Sequence, residues 1–478
     1  MSDCILRFVD RIDPSPTVLF DFAGEWGPRV GTSFSPPRLR RQSQVSSFAD
    51  GSWEASSTYE DRQIVIELGK YDGSPMEHAT DLQTLLRILD RDESWLMWQP
   101  TATDDPVFFR TKRADTSVVD MMLTAAPQRE VSLAIPAHPF AFGLNVSGVV
   151  EILNNALGDS VDNPMGAEVP WAKGDVESPL WLAFQTPAKY PPAVAFNEAK
   201  YRSVVSSWHI PNGIGVPDPI TAAPTGTGVG GGTTATFTAD ATMTTGNRYR
   251  VTTSSINASR ILPITVTPVA GARDYRVFLR AKLSGGRVSA KVGNAFARLL
   301  RGTAVGPEWF DLGVTRLPTA SVEDSDPFNL SPPVDTQDMS LLIQFLDTTG
   351  ATIDIDLLMF IPVGPDCRYA TQSTYPTDPG NYSDPTMAIL DGINDRRYAS
   401  WSAAVGDQNR YMGGLEGDLP TVRPGGPTKL SFLPVVAFEN NGTGNESGQN
   451  AEIPDPLNTT TVVSWSYFPR YLYLRGVE

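Results

Sequence analysis

Sulfur and imidazole are scarce in this chain: its 478 residues hold two cysteines, Cys4 and Cys367, and three histidines, His78, His138 and His209. Two cysteines so far apart build no disulfide framework and suit folding in a reducing compartment. The histidines fall on separate segments without an HExxH pair, so the close ligand spacing of a zinc site is missing. No G-x-S-x-G elbow, Walker loop or CxxC occurs. No apolar run approaches the ~18 residues that cross a bilayer as a helix. The opening MSDCILRFVDR has acidic residues in place of a long apolar core, so it is not expected to be a secretory signal. Cations are short as well: 38 Lys and Arg stand against 54 Asp and Glu, a net charge of −16. That balance disfavours a nucleic-acid reader, which needs a cationic face against phosphates. Carboxylates are plentiful, Asp104, Asp105, Asp324, Asp326, Glu416 and Asp418 among them, but they sit in Gly/Pro turns where solvated charge is the default. A glycoside hydrolase needs only two, at a separation in space that sequence does not reveal. The expectation is no catalysis, no metal, no cofactor, no specific nucleic acid and no membrane insertion.

What the chain has is turn material and alternation. Its 40 Gly and 40 Pro with few helical periodicities argue for a mainly β protein of about three domains. It is organised around the stretch from Trp53 to Pro100. Ile64, Ile66 and Leu68 alternate with Gln63, Val65 and Glu67, a strand with one buried face. Asp72-Gly73 signals a turn. Ser74-Pro75-Met76-Glu77 has the form of a capping box with proline at the first helical position. Leu82, Leu85, Leu86 and Leu89 then mark one apolar stripe of a helix over Met76–Arg91. His78, on its first turn, is a solvated position by default. Trp95 to Trp98 resumes extended structure.

This unit, a strand ending in YEDR plus hydrophobic alternation, then a Leu-rich helix, then WLMWQP, resembles the N-terminal domain of distal tail proteins. More narrowly it is similar to minor tail proteins of long-tailed phages infecting actinobacteria. The bland alternative is a generic helix-on-sheet domain. Further on, WAKGDVESPLWLAFQ (Trp171 to Gln185) resembles the galectin-like second half of distal tail proteins, with Gly174, Asp175 and Pro179 in the corresponding places. Trp171 and Trp181 suit sugar stacking or, more commonly for strand tryptophans, a core. A Pro/Gly/Thr-rich segment, 211–245, reads as a linker; its GxGxxG at Gly226, Gly228 and Gly231 lacks the following helix that a dinucleotide fingerprint requires. RYRVTT, DYRVFLRAKL, WFDLG and IDIDLLMFIP alternate like a jelly roll and resemble the carbohydrate-binding-module-like domains inserted in such tail proteins. Asp354 and Asp356 share a strand face without a third acidic ligand, so a solvated face is expected over a cation site. MAILDG, GDLPTVRPGGPTKLSF and SWSYFPRYLYLR resemble the closing strands of the same phage family, around a polar 440–450 loop.

The resulting expectation is a mainly β chain of tandem β-sandwich domains. Residues 1–142 form a distal-tail-like domain with one helix, 143–196 plus 366–478 a discontinuous galectin-like domain, and 197–365 a linker and inserted jelly roll. The resemblance implies a structural virion protein at the tail tip, made in the host cytoplasm, joining tail tube to tip. It further implies a ring of six copies touching the tail tube protein and other tail-tip proteins. The alternative is a glycan-binding adhesin for the host cell wall. Alternation puts Phe278 beside Arg276 and Arg280 on the expected solvent face, a candidate glycan or partner contact. Arg38, Arg40 and Arg41 form a local cationic exception, read as a solvated loop or as a contact with an acidic neighbouring subunit.

Overall fold

A computed structural model of the chain describes residues 4–22, 26–45, 52–70, 74–114, 129–153, 166–170, 172–184, 200–209, 220–241, 243, 245–266, 274–284, 287–299, 307–317, 337–346, 349–363, 367–373, 385–401, 410–411, 415–437 and 460–472. The Asp72-Gly73 turn, Trp171, Asp324, Asp326 and the 440–450 loop lie outside these residues. The chain divides into two compact units: Met1–Val146 with Lys173–Ser178 and Tyr467–Glu478, and Ser147–Ala172 with Pro179–Ser466. It is a mainly β protein of tandem sandwiches, with a single helix among the described residues.

The first unit contains β1 (Ile5–Val9), β2 (Val18–Asp21), β3 (Gly27–Pro28), β4 (Ser33–Phe34), β5 (Leu39–Val45), β6 (Ser52–Tyr59), β7 (Arg62–Lys70), helix α1 (Pro75–Leu89), β8 (Glu93–Gln99), β9 (Val107–Lys112) and β10 (Arg129–Phe142). The main sheet runs β2-β1-β8-β9-β10-β7-β3, with β4 added to β7 and Arg470–Tyr471 to β10. Alternation in β7 is realised as read: Ile64, Ile66 and Leu68 are buried. The helix starts where its cap dictates. Ser74 Oγ accepts from the Glu77 N–H at 3.3 Å, and Glu77 Oε2 accepts from the Ser74 N–H at 2.6 Å. That reciprocal bond draws the Glu77 carboxyl below its ordinary range. Leu82, Leu85, Ile88 and Leu89 pack onto Leu6, Phe8, Ile64, Ile66, Leu96, Phe109 and Leu133 of the sheet. His78 departs from expectation. Its ring is 1% exposed and lies 6.1 Å from Trp26, because at i−4 from Leu82 it falls on the inward stripe.

The second unit holds an eleven-stranded sheet and two smaller ones. Along the main path the large sheet runs Thr233–Ala239, Asn247–Thr253, Thr352–Val363, Asp274–Leu283, Glu308–Arg316, Thr428–Ala437, Lys200–His209, Cys367–Ser373 and Leu415–Gly417. A four-stranded sheet of Ser259–Val266, Gln337–Phe345, Val288–Val292 and Ala295–Leu299 packs against its first part. Leu262, Val288, Leu341 and Ile343 meet Tyr275, Val277, Ile353 and Phe360 in that core. A six-stranded sheet carries Val146–Leu153, Thr460–Tyr467, Trp181–Phe184, Pro385–Asp391, Arg396–Trp401 and Arg410–Tyr411.

The strand pairing differs from the expected segment boundaries. Lys200–His209, assigned to the insertion, pairs along its whole length with Thr428–Ala437 and also with Cys367–Ser373. The jelly-roll strands join the same sheet through a parallel pair, Trp309↔Val435 and Phe310↔Val436. The 211–245 linker contains the strands Ile220–Ala222 and Thr233–Ala239. Its glycine motif is a strap along Ser259–Val266. A Cβ on Gly228, at φ +61°, would stand 1.9 Å from the Ile261 carbonyl oxygen. The Arg260 guanidinium donates to the carbonyls of Thr227 at 2.8 Å and Gly228 at 2.9 Å. Those carbonyls turn toward a cation, the reverse of a phosphate cradle.

Candidate functional site

The candidate contact of Arg276, Phe278 and Arg280 is not an exposed platform. Phe278 is 0% exposed, and so is Trp309 on the neighbouring strand. Single-strand alternation placed Phe278 opposite the core correctly, but both faces of Asp274–Leu283 are covered. Arg280 and Asp356 form an ion pair with side-chain exposures of 3% and 0%. Arg276 donates from Nε to Asp311 Oδ2 at 3.0 Å and lies beside the Phe278 ring, 6.0 Å from its centroid. The expectation of a solvated Asp354–Asp356 face is likewise corrected. Asp354 takes a bidentate bond from Arg250 at 2.6 and 2.7 Å, which raises the Arg250 pKa chiefly through that hydrogen bond. Guanidinium groups stand where a cation would have to sit. No group of three or more metal-capable side chains occurs among the described residues.

An exposed row that sequence reading missed crosses the outer face of the four-stranded sheet. Register places Phe296 opposite Lys291, Lys291 opposite Leu342, Leu342 opposite Ile261, and Ile261 beside Val229 of the glycine strap. Phe296, Ile261 and Val229 are 52%, 48% and 77% exposed. At ~4.8 Å between strands the row spans roughly 19 Å. Arg298 and Gln344 flank it in the next register row. Its only sequence signal was the Gly293-Asn294 turn, which puts Phe296 outward; the row itself exists only once four strands are in register. Trp181, the second candidate stacking residue, is half-buried in a strand with neighbours on both sides.

In the first unit, Arg40 and Arg41 fall on β5 and Arg38 immediately before it, so the expected loop is a strand. All three are exposed. Among the described residues β5 pairs with β6 alone, in a two-stranded sheet of its own. At the base, the Tyr59 ring meets Phe140 edge-on at 5.3 Å, and Arg470 lies over Phe140 at 5.2 Å. Nearby, Arg62 donates from Nε to the Pro139 carbonyl at 2.8 Å, and its burial pulls its pKa down to about 10. His138 is held below its ordinary value, first by burial and then by Lys112 and Arg110. Under the helix, Lys70 reaches Asp81 at 2.5 Å and lies 5.8 Å from the Trp26 ring. These buried cations all have carbonyl, carboxylate or aromatic neighbours, and fix packing rather than chemistry.

No family model matches the chain, and no curated protein does. Among solved structures, the Dit protein of phage SPP1, described as a hub of the adsorption apparatus in phages infecting Gram-positive hosts, matches with a TM-score of 0.25 and 10% identity over 76% of this chain and 99% of that one. The phage P2 baseplate in its activated conformation with Ca matches with a TM-score of 0.25 and 9% identity, over 74% and 97%. A Paenibacillus xanthan lyase matches with a TM-score of 0.22 and 8% identity, over 86% of this chain and 36% of the lyase. At such scores function has to be decided by the chain's own residues.

Proposed function

We propose that this chain is a structural, non-catalytic component of a phage tail tip, of the distal-tail or minor-tail kind, carried in the virion. Its first unit builds a ring of copies, six by the sequence resemblance, between the tail tube protein and other tip proteins. Arg38, Arg40 and Arg41 contribute to the contact between copies. The observation that supports this reading best is the first unit itself: the capping-box helix lies on a sheet, and the two-stranded β5–β6 sheet exposes three arginines. The test is an electron-microscopy map of intact tails with this chain placed. Copies related by cyclic symmetry at the distal end of the tube are expected; absence from the tail, or one asymmetric copy, refutes the reading.

The second reading, contact with host cell-wall glycan, moves from Arg276, Phe278 and Arg280 to the exposed Phe296–Lys291–Leu342–Ile261 row. An exposed ring flanked by Lys, Arg and Gln offers stacking together with hydrogen-bond donors. Titration of the full chain with host wall polysaccharide should give weak, chelator-insensitive binding that Phe296→Ala removes. No binding at millimolar sugar eliminates this reading.

A further inference from the structure

We infer that the outer face of the four-stranded sheet takes a uronic-acid polysaccharide, with one hexuronate ring stacked on Phe296 and its carboxylate held by Lys291 and Arg298. This rests on the glycan reading above and names the class of sugar. Alternation builds the site. Ala295 and Leu299 are buried, which turns Phe296 and Arg298 outward; Val288, Ala290 and Val292 are buried, which turns Lys291 outward as well. Register sets Lys291 directly opposite Phe296, about 5 Å apart at Cβ. Arg298 stands two residues farther along the ring's own strand, about 7 Å away. The hairpin that carries all three is pinned at its turn. A Cβ on Gly293, at φ +57°, would stand 2.2 Å from Thr315 Oγ1, and the Asn294 N–H donates to that hydroxyl at 3.1 Å. The ring and its two cations are thus presented together before any ligand arrives.

Charge decides the class of ligand. Elsewhere in this unit Arg250, Arg276 and Arg316 are each matched by an aspartate of the same chain. Lys291 and Arg298 are both exposed, and among the described residues neither has a hydrogen bond or ion pair. Among the described residues the carboxylate on this face is Asp338, which accepts from Thr265 Oγ1 at 3.3 Å. It lies four residues along its strand from Leu342, roughly 13–14 Å. Lys and Arg donate hydrogen bonds and accept none. A neutral sugar presents hydroxyls that need acceptors as well as donors, so two adjacent cations fit a ligand with acceptor oxygens and negative charge. The aromatic ring fixes where that charge sits. A pyranose stacked on Phe296 has the cations at its rim, where a carboxylate carried on the sugar itself reaches them; a phosphodiester between sugars lies beyond the stacked ring. Gln344, in the same register row as Arg298, supplies an amide for the remaining hydroxyls.

The test titrates the full chain with a galacturonate oligomer and with its methyl ester, the same backbone without charge, at about 0.05 M and about 0.5 M salt. The acid should bind at least about tenfold tighter than the ester at low salt, and the margin should shrink at high salt. Lys291→Gln with Arg298→Gln should remove that margin and leave ester binding as it was. Phe296→Ala should weaken both forms. All three positions are exposed, and thermal melts matching wild type show that each variant folds. If acid and ester bind equally, or the double glutamine variant keeps the margin, the uronate assignment is wrong while the glycan reading survives. A polyphosphate that competes as well as the acid, or acid binding indifferent to Phe296→Ala, reduces the site to a plain cationic patch and overturns the assignment. If neither oligomer binds at millimolar sugar the assignment falls, and the glycan reading is then decided by the wall-polysaccharide titration alone.

Discussion

The Arg280–Asp356 pair offers the sharpest test of how the second unit is held together. Both side chains are almost wholly buried, and the Thr245 N–H and hydroxyl approach Asp356 Oδ1 at 3.4 and 3.5 Å. Burying two charges costs more than their attraction returns unless geometry and extra hydrogen bonds are good. Removing one partner leaves the other as an unpaired charge in a buried site, at a cost of about 3–5 kcal/mol. For a unit of this size each kcal/mol moves the midpoint by about 1.5 °C. Asp356→Ala and Arg280→Met should each lower the melting transition of the second unit by about 5–8 °C in scanning calorimetry. The combined variant Arg280→Met with Asp356→Leu removes both charges and should recover most of that loss. Singles that cost under about 1 kcal/mol, or a double as damaged as the worse single, would refute the claim that the buried pair is mutually dependent.

Other consequences follow from the same geometry. Gly228→Ala forces a methyl onto the Ile261 carbonyl and occupies a left-handed φ, so urea denaturation should show a loss of about 2 kcal/mol or more. Ser74→Ala removes the cap of α1 and should cost about 1 kcal/mol in the same assay. Because the folded His138 resists protonation, the unfolded chain binds its proton first. Stability should therefore fall as pH drops through the ordinary value near 6.5 toward the lower folded one, and His138→Gln should flatten that slope in thermal melts. Excising 210–366 and joining His209 to Cys367 through a short linker should leave a more soluble remainder than excising 197–365. The shorter excision keeps Lys200–His209 between its two partners, with Trp208 already opposite Cys367; equal solubility would count against the observed pairing.

What was legible in the sequence was whatever depends on near neighbours. The cap at Ser74, the Leu82–Leu89 stripe and the alternation of Ile64, Ile66 and Leu68 involve residues within one turn or one strand. The buried side of Phe278 was not legible, because period-2 alternation assigns faces and says nothing about whether each face is covered. Leu357 illustrates a second limit. A bulge shifts the register between Arg280 and Ala281 opposite Ile355 and Leu357, so Ile353 and Ile355 enter the sandwich core and Leu358 follows in place of Leu357. The partners of Asp354 and Asp356 lie 104 and 76 residues away, which no local pattern discloses. The exposed Phe296 row needs four strands in register before it exists at all.

Continuity of the eleven-stranded sheet changes what an insertion means in this chain. A domain hung on flexible linkers moves freely, and a load on it reaches the rest only as tension in the linkers. Here the Glu308–Arg316 strand pairs directly with Thr428–Ala437 at Trp309 and Phe310, two residues that are themselves buried. Thr428–Ala437 is in turn bonded to Lys200–His209 over its full length. A force on the four-stranded face therefore passes through packed side chains of the sandwich core into backbone hydrogen bonds of the second sheet half. Close-packed interiors transmit strain with little compliance. Such a mount ties the four-stranded sheet to the rest of its unit through packing and backbone hydrogen bonds rather than through linkers alone.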